Sequence, residues 1–255
     1  MGIKKYIPNT ITSLNLFCGV LGVIATFGGD FQAAFFLMLA ASVFDFCDGF
    51  AARLLGAYSD MGKELDSLAD MVSFGVLPSL MVYEYMTAEV VMTFSGAGIV
   101  AMLPLLIAVF SGLRLAKFNV DSRQSENFIG LATPACALLC SSFICFVSLM
   151  PQSGLASLAN TCWLLPVVSV VLAALLVSEI PMFSMKIKKG AGRSVRILRM
   201  AFLLCVAVVA AGVLIYSRLE WSFAATLAFF VAFVFKLYIL INIINAIVVK
   251  CRSKR

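Results

Sequence analysis

Two pairs of aspartates define the chemistry open to this sequence: Asp45 and Asp48, three residues apart, and Asp66 and Asp70, four apart. At helical spacing each pair shares one helix face. They sit in the stretch DFCDGFAARLLGAYSDMGKELDSLAD, residues 45–70, between two apolar runs. The short LLGAYSD turn makes the flanking helices antiparallel neighbours, so both pairs point into one pocket. Four carboxylates there repel one another, and an aspartate deep in a membrane helix costs about 2.5 to 3.5 kcal/mol. Two divalent cations would cancel the four charges. Oxygen donors without His or Cys suit hard ions, Mg or Mn, and Ca less well. Gly49, Ala52 and Gly62 leave bare the helix faces beside the acids, and Arg53 offers a planar fork for phosphate oxygens. Together these residues describe a metal-bridged diphosphate cradle. Asp60 and Glu64 read as solvated turn charges.

The elements that carry this cradle are apolar. Of 255 residues 62% are hydrophobic and 13% charged, with mean hydropathy +1.05, which excludes an ordinary soluble domain. The expected fold is an all-α integral membrane protein of about eight transmembrane helices, over 11–29, 32–56, 63–86, 95–118, 130–150, 159–184, 196–217 and 222–249. One transmembrane domain covers 1–255, with the catalytic part in 1–150 and additional helices in 151–255. With both termini cytoplasmic, all of the 19 lysines and arginines except Arg218 and Lys236 fall on the cytoplasmic side. That places the acidic segment there too. The net charge of +6, including the KIKKGAGRSVR cluster at 186–196, then serves topology and contact with anionic lipid, and no nucleic-acid partner is expected. The chain has no histidine, so chemistry rests on carboxylates, hydroxyls, Lys, Arg and Tyr. The eight cysteines form no CxxC pair and read as small buried hydrophobes.

Residues 45–70 carry the pattern D-x2-D-G-x2-A-R-x8-G-x3-D-x3-D, on Asp45, Asp48, Gly49, Ala52, Arg53, Gly62, Asp66 and Asp70. This resembles the CDP-alcohol phosphotransferase signature at every fixed position. The resemblance implies a helical-bundle membrane enzyme that moves a phosphatidyl or similar group from a CDP-linked donor to an alcohol and releases CMP. It implies that Asp45, Asp48 and Asp66 hold two metal ions, and that Asp70 assists the second and takes the acceptor's proton. Gly49, Ala52 and Gly62 would line the CDP pocket, with Arg53 on phosphate. Because members commonly pair, it also implies a homodimer.

IPNTITSLNLFCG at 7–19, DMVSFGVLPS at 70–79, GLRLAKFNV at 112–120 and FIGLATPA at 128–135 resemble the phosphatidylserine synthase branch of that family. The implied substrates are CDP-diacylglycerol and L-serine, in a prokaryotic cytoplasmic membrane. Lys117 stands where that branch usually has Arg, and Ala132 where Pro is common. Asn9 and Thr12, with Thr10, sit where the first helix enters the membrane, to cap it or to meet the nucleotide. Arg114, Lys117 and Arg123 form a cationic group for an acceptor carboxylate or a lipid phosphate, with Ser73 and Asn119 as further pocket residues. Gly75 and Pro78 read as bending the third helix. A sister enzyme accepting glycerol phosphate or inositol phosphate is the nearest alternative. A cation or proton transporter is the alternative from another class, but the acidic segment has no second copy.

Overall fold

The computed structural model describes residues 6–90, 98–120, 128–182, 206–207, 210–211 and 221–253. Eight helices are bounded within them: α1 Tyr6–Phe27, α2 Phe31–Leu55, α3 Asp60–Glu89, α4 Val100–Val120, α5 Thr133–Leu149, α6 Gly154–Ala159, α7 Leu164–Val177 and α8 Phe223–Ser253. α1 to α4 and α8 are long and apolar enough to cross a bilayer. The protein is an integral membrane protein. Large apolar side chains point outward along these helices, Phe17, Ile24, Phe46, Leu54 and Ile244 among them, as lipid contact requires. One pair of two-residue strands, β1 Phe128–Ile129 and β2 Pro181–Met182, joins antiparallel.

Several expected boundaries move. α1 is already helical at Tyr6, because Pro8 is tolerated in a first turn and the Thr10 and Ser13 hydroxyls donate to the carbonyls of Tyr6 and Asn9, both at 2.8 Å. The polar run therefore lies inside the helix and caps nothing. The spans expected at 130–150 and 159–184 shrink to 17 and 14 residues. At about 1.5 Å per residue neither reaches the roughly 30 Å of a hydrocarbon core. Of the span expected at 196–217 only 206–207 and 210–211 are described, both helical; the basic cluster at 186–196 and Arg123 lie outside the described residues. α3, where Gly75 and Pro78 lie, passes through a π-helical stretch, Met71–Val76, directly after Asp70, with Pro78 in the first turn of the α-helix that resumes. Of the cysteines, Cys136, Cys140 and Cys145 are buried, while Cys18, Cys47 and Cys162 are half-buried.

α5 is the bundle's central helix, buried from Thr133 to Val147 and packed against α2, α3 and α8. α1 lies along α2 and touches α3. Gly19 permits that approach: a Cβ there would sit 2.5 Å from Ser73 Oγ and 3.0 Å from Ser73 Cα. Because Ser73 Cα is backbone, the helices must separate to admit a side chain. Gly19→Leu is expected to destabilise the fold by about 1 to 3 kcal/mol, with Gly19→Ala milder. Thermal unfolding in detergent micelles reads the effect, and unchanged melting of the leucine variant would contradict this packing.

Candidate active site and metal centre

The two acidic pairs meet because α2 and α3 are joined by a tight, well-terminated turn. Gly56 closes α2 at φ 59, a left-handed conformation that glycine adopts without cost. The N–H of Ala57 reaches back to the carbonyl of Ala52 at 3.0 Å. Ser59 caps α3, its Oγ accepting from the Gly62 N–H at 3.0 Å. This reversal aligns the last turns of α2 with the first turns of α3.

Asp45, Asp48 and Asp66 each offer one carboxylate oxygen, and these three atoms lie within 4.8 Å of one another. Asp48 is 5% exposed. Asp66 Oδ1 is buried with no hydrogen-bond partner. A buried acceptor beside two further carboxylates is costly unless a cation completes it. The all-oxygen set matches a hard divalent ion, so the residues fit a metal centre. Asp70 is not one of this trio; it lies one turn further along α3, near enough for its charge to interact with theirs.

α1 orients two of the acids. Thr12 Oγ1 donates to Asp48 Oδ2 at 2.6 Å, and Asn15 Nδ2 donates to Asp70 Oδ1 at 3.4 Å. Asn15 is wholly buried, and its main-chain oxygen accepts from Ser73 Oγ at 3.1 Å. Asn15→Leu keeps the volume but strips the amide from Asp70. Turnover is expected to fall about tenfold, with Asn15→Gln no substitute, because a hydrogen bond to a charged group is worth roughly 1.5 to 3 kcal/mol, only part of it expressed in an orienting role. Steady-state kinetics checks this, and wild-type turnover in Asn15→Leu would refute it.

Two cavities flank the acids. The first, about 200 Å³, opens between α1 and the α2–α3 turn and is lined by Asn9, Thr12, Asp48, Gly49, Ala52, Gly62, Lys63 and Asp66, with Tyr58 and Ser59. A Cβ on Gly49 would meet nothing within 4 Å, so this wall is open to a ligand. The second, about 240 Å³, lies between α3, α4 and the start of α5, and includes Asp66, Ser67, Asp70, Arg114, Asn119 and Thr133 as well as Lys63. Arg114 is 7% exposed; its Nη1 donates to Thr133 Oγ1 at 2.8 Å and its Nε is buried without a partner.

The remaining expected site residues divide. Arg53 is on the exposed last turn of α2, its Nε donating to the Gly49 carbonyl at 2.8 Å, and it is not part of the first cavity's wall. Lys117 turns away from the second cavity toward Glu179, 3.9 Å off. Ser73 is buried between α1 and α3 and lines neither cavity. Asn119 lines the second, donating to Ser67 Oγ at 2.9 Å. Asn15, Lys63, Ser67 and Thr133 lie at or beside the acids without belonging to the sequence pattern. For Asn15 a signal existed: it follows Thr12 by three residues, on the same helix face.

A family model described as CDP-alcohol phosphatidyltransferase matches residues 5–178. The chain is 38% identical over 130 residues to the CDP-diacylglycerol--serine O-phosphatidyltransferase of Bacillus subtilis, covering 51% of this chain and 70% of that protein. It is 37% identical over 134 residues to the Helicobacter pylori (strain J99) protein of the same name, covering 52% and 54%. To the archaetidylserine synthase of Methanothermobacter thermautotrophicus it is 37% identical over 139 residues, 54% of this chain and 57% of that one. The match thus spans little more than half of the latter two relatives.

Proposed function

Because this chain belongs to the CDP-alcohol phosphatidyltransferase family, we propose that it transfers the phosphatidyl group of CDP-diacylglycerol to the hydroxyl of L-serine and releases CMP. The observation that carries this reading is the pair of cavities sharing Asp66, with Asp70 and the unpaired Nε of Arg114 together in the second. A buried guanidinium with a free donor calls for an anionic partner, and the carboxylate of an amino acid supplies one. The names of the three relatives, all serine-linked, support the same acceptor.

In this reading the first cavity takes the nucleotide end of the donor against the bare wall at Gly49, with Ala52 and Gly62 beside it; Gly62 itself is packed against Asn9 Oδ1 and Ser59 Oγ, each 3.0 Å from where its Cβ would lie. The acyl chains stay in the bilayer. Asp45, Asp48 and Asp66, with Asp70, would hold two divalent ions, Mg or Mn, which would supply charge neutralisation at the diphosphate and at the departing CMP oxygen. Thr12 fixes the carboxylate of Asp48, and Asn15 that of Asp70. Arg114 anchors the serine carboxylate so that its hydroxyl faces Asp70, which accepts the proton. The serine oxygen bonds to phosphorus as the bond from phosphorus to the CMP oxygen breaks. The distribution of basic residues supports the cytoplasmic edge of the membrane as the place of this chemistry, and the bacterial and archaeal sources of the three relatives support a prokaryotic membrane. A homodimer follows from the family's habit of pairing, and the helices in 151–255 complete the single domain.

The test uses purified protein with CDP-diacylglycerol, labelled serine and Mg or Mn, with a chelator as control. Serine-dependent CMP release, matched by labelled lipid and abolished by the chelator, is expected. Release driven as well by glycerol phosphate or inositol phosphate as by serine would overturn the acceptor, and no release with any alcohol would overturn the transferase.

A further inference from the structure

Lys63 belongs to the wall of both cavities. It is the sole lysine or arginine among the described residues lining the first, whose acids are Asp48 and Asp66. Its ammonium donates to the main-chain oxygen of Asn119, at the end of α4, at 3.2 Å. Among the described residues it makes no ion pair. An ammonium has three donors, so two remain for a ligand. On α3 the spacing of Lys63, Ser67 and Asp70 sets them along one stripe, which borders the second cavity. Arg53, by contrast, spends its Nε on its own helix and is not among the residues lining the first cavity.

We propose that Lys63 serves both substrates: its ammonium meets a phosphate oxygen of the CDP-linked donor, while its bond to the Asn119 carbonyl holds the wall of the acceptor cavity in place. This rests on the transferase reading given above. A diphosphate entering a site with three clustered carboxylates needs a cation from the protein on its open side, and a flexible point charge at the boundary of the two cavities meets that need. Asn119 in turn fixes Ser67 through its side-chain amide, so one lysine links the donor pocket to the acceptor side of α3. No covalent step passes through Lys63.

Two variants and two readouts test this. CDP binding to purified protein with Mn is measured by calorimetry, and the KM for serine by CMP release. Lys63→Met is expected to weaken CDP by about 10- to 100-fold, the range of a lost charge-assisted hydrogen bond, and to raise the KM for serine several-fold. Lys63→Arg keeps a donor cation and is expected to hold CDP within about threefold of wild type. Because the side chain is exposed, both variants should melt as the wild type does. Wild-type CDP affinity in Lys63→Met, an unchanged KM for serine, or an arginine variant as weak as the methionine one would each overturn the proposal. If wild-type protein released no CMP with serine, the transferase reading would fail instead, and the CDP measurement would still judge Lys63.

Discussion

Replacing Asp70 with asparagine is expected to lower turnover by about 100- to 10,000-fold, the range for loss of a positioned general base, while CDP-lipid affinity stays near wild type. The separation follows from placement. The carboxylates of Asp45, Asp48 and Asp66 meet without Asp70, which lies a turn away in the other cavity and takes a hydrogen bond from Asn15. Asparagine has nearly the same shape and still receives a donor at Oδ1, so α1 and α3 should pack as before. It cannot take a proton from serine. Undiminished turnover would remove Asp70 from the base role; loss of CDP-lipid binding would place it among the donor's ligands.

The second large effect is expected from Asp66→Asn. Charge stabilisation by a bound ion is worth several kcal/mol, so turnover should fall about 1,000-fold or more. The same change should raise the melting temperature of the metal-free protein, because it removes one of the mutually repelling charges and puts an amide donor beside the carboxylates that remain. Adding Mn should then stabilise the wild type and leave the variant nearly unmoved. Thermal unfolding with and without Mn reads both signs. A metal-free variant less stable than the wild type would mean that the acids hold the fold by contacts of their own.

Much of this site is legible in the sequence because its parts are local. The spacing within each aspartate pair and the brevity of the turn between them bring Asp45, Asp48 and Asp66 together, and Gly49 forms the bare wall its lack of a side chain implies. Contacts between distant segments are another matter. Arg114 and Lys117 read alike as cations on one helix end, yet Thr133 draws one inward and Glu179 draws the other out. Nothing in residues 112–120 distinguishes them. Arg53 reads as the phosphate ligand from its place in the motif, but the cavity wall instead holds Lys63, whose partner Asn119 is supplied by a different helix.

Helix number is legible in the same uneven way. The long spans declare themselves by apolar length, and α1, α2, α3, α4 and α8 are found where apolar runs predict them. The shorter α5 and α7 stop short of the ends of their apolar runs, because such a run does not record where helix ends and extended chain begins. Ile180 and Met182 prolong the apolar α7 run, yet Pro181 and Met182 pair as a strand. Gly75 and Pro78 mark an irregular third helix in the sequence but do not show that it takes the form of a π stretch, in which Ser73 meets α1 and Gly75 meets α4.

The account's central claim is that Asp45, Asp48 and Asp66 together hold a divalent ion that the CDP group then engages. Electron paramagnetic resonance of Mn titrated into purified protein tests it most directly, by counting bound ion with and without CDP. Saturable Mn binding that tightens with CDP and is lost in Asp48→Ala and Asp66→Asn is the predicted result. Mn binding that is absent, indifferent to CDP, or unchanged when both aspartates are removed would contradict it.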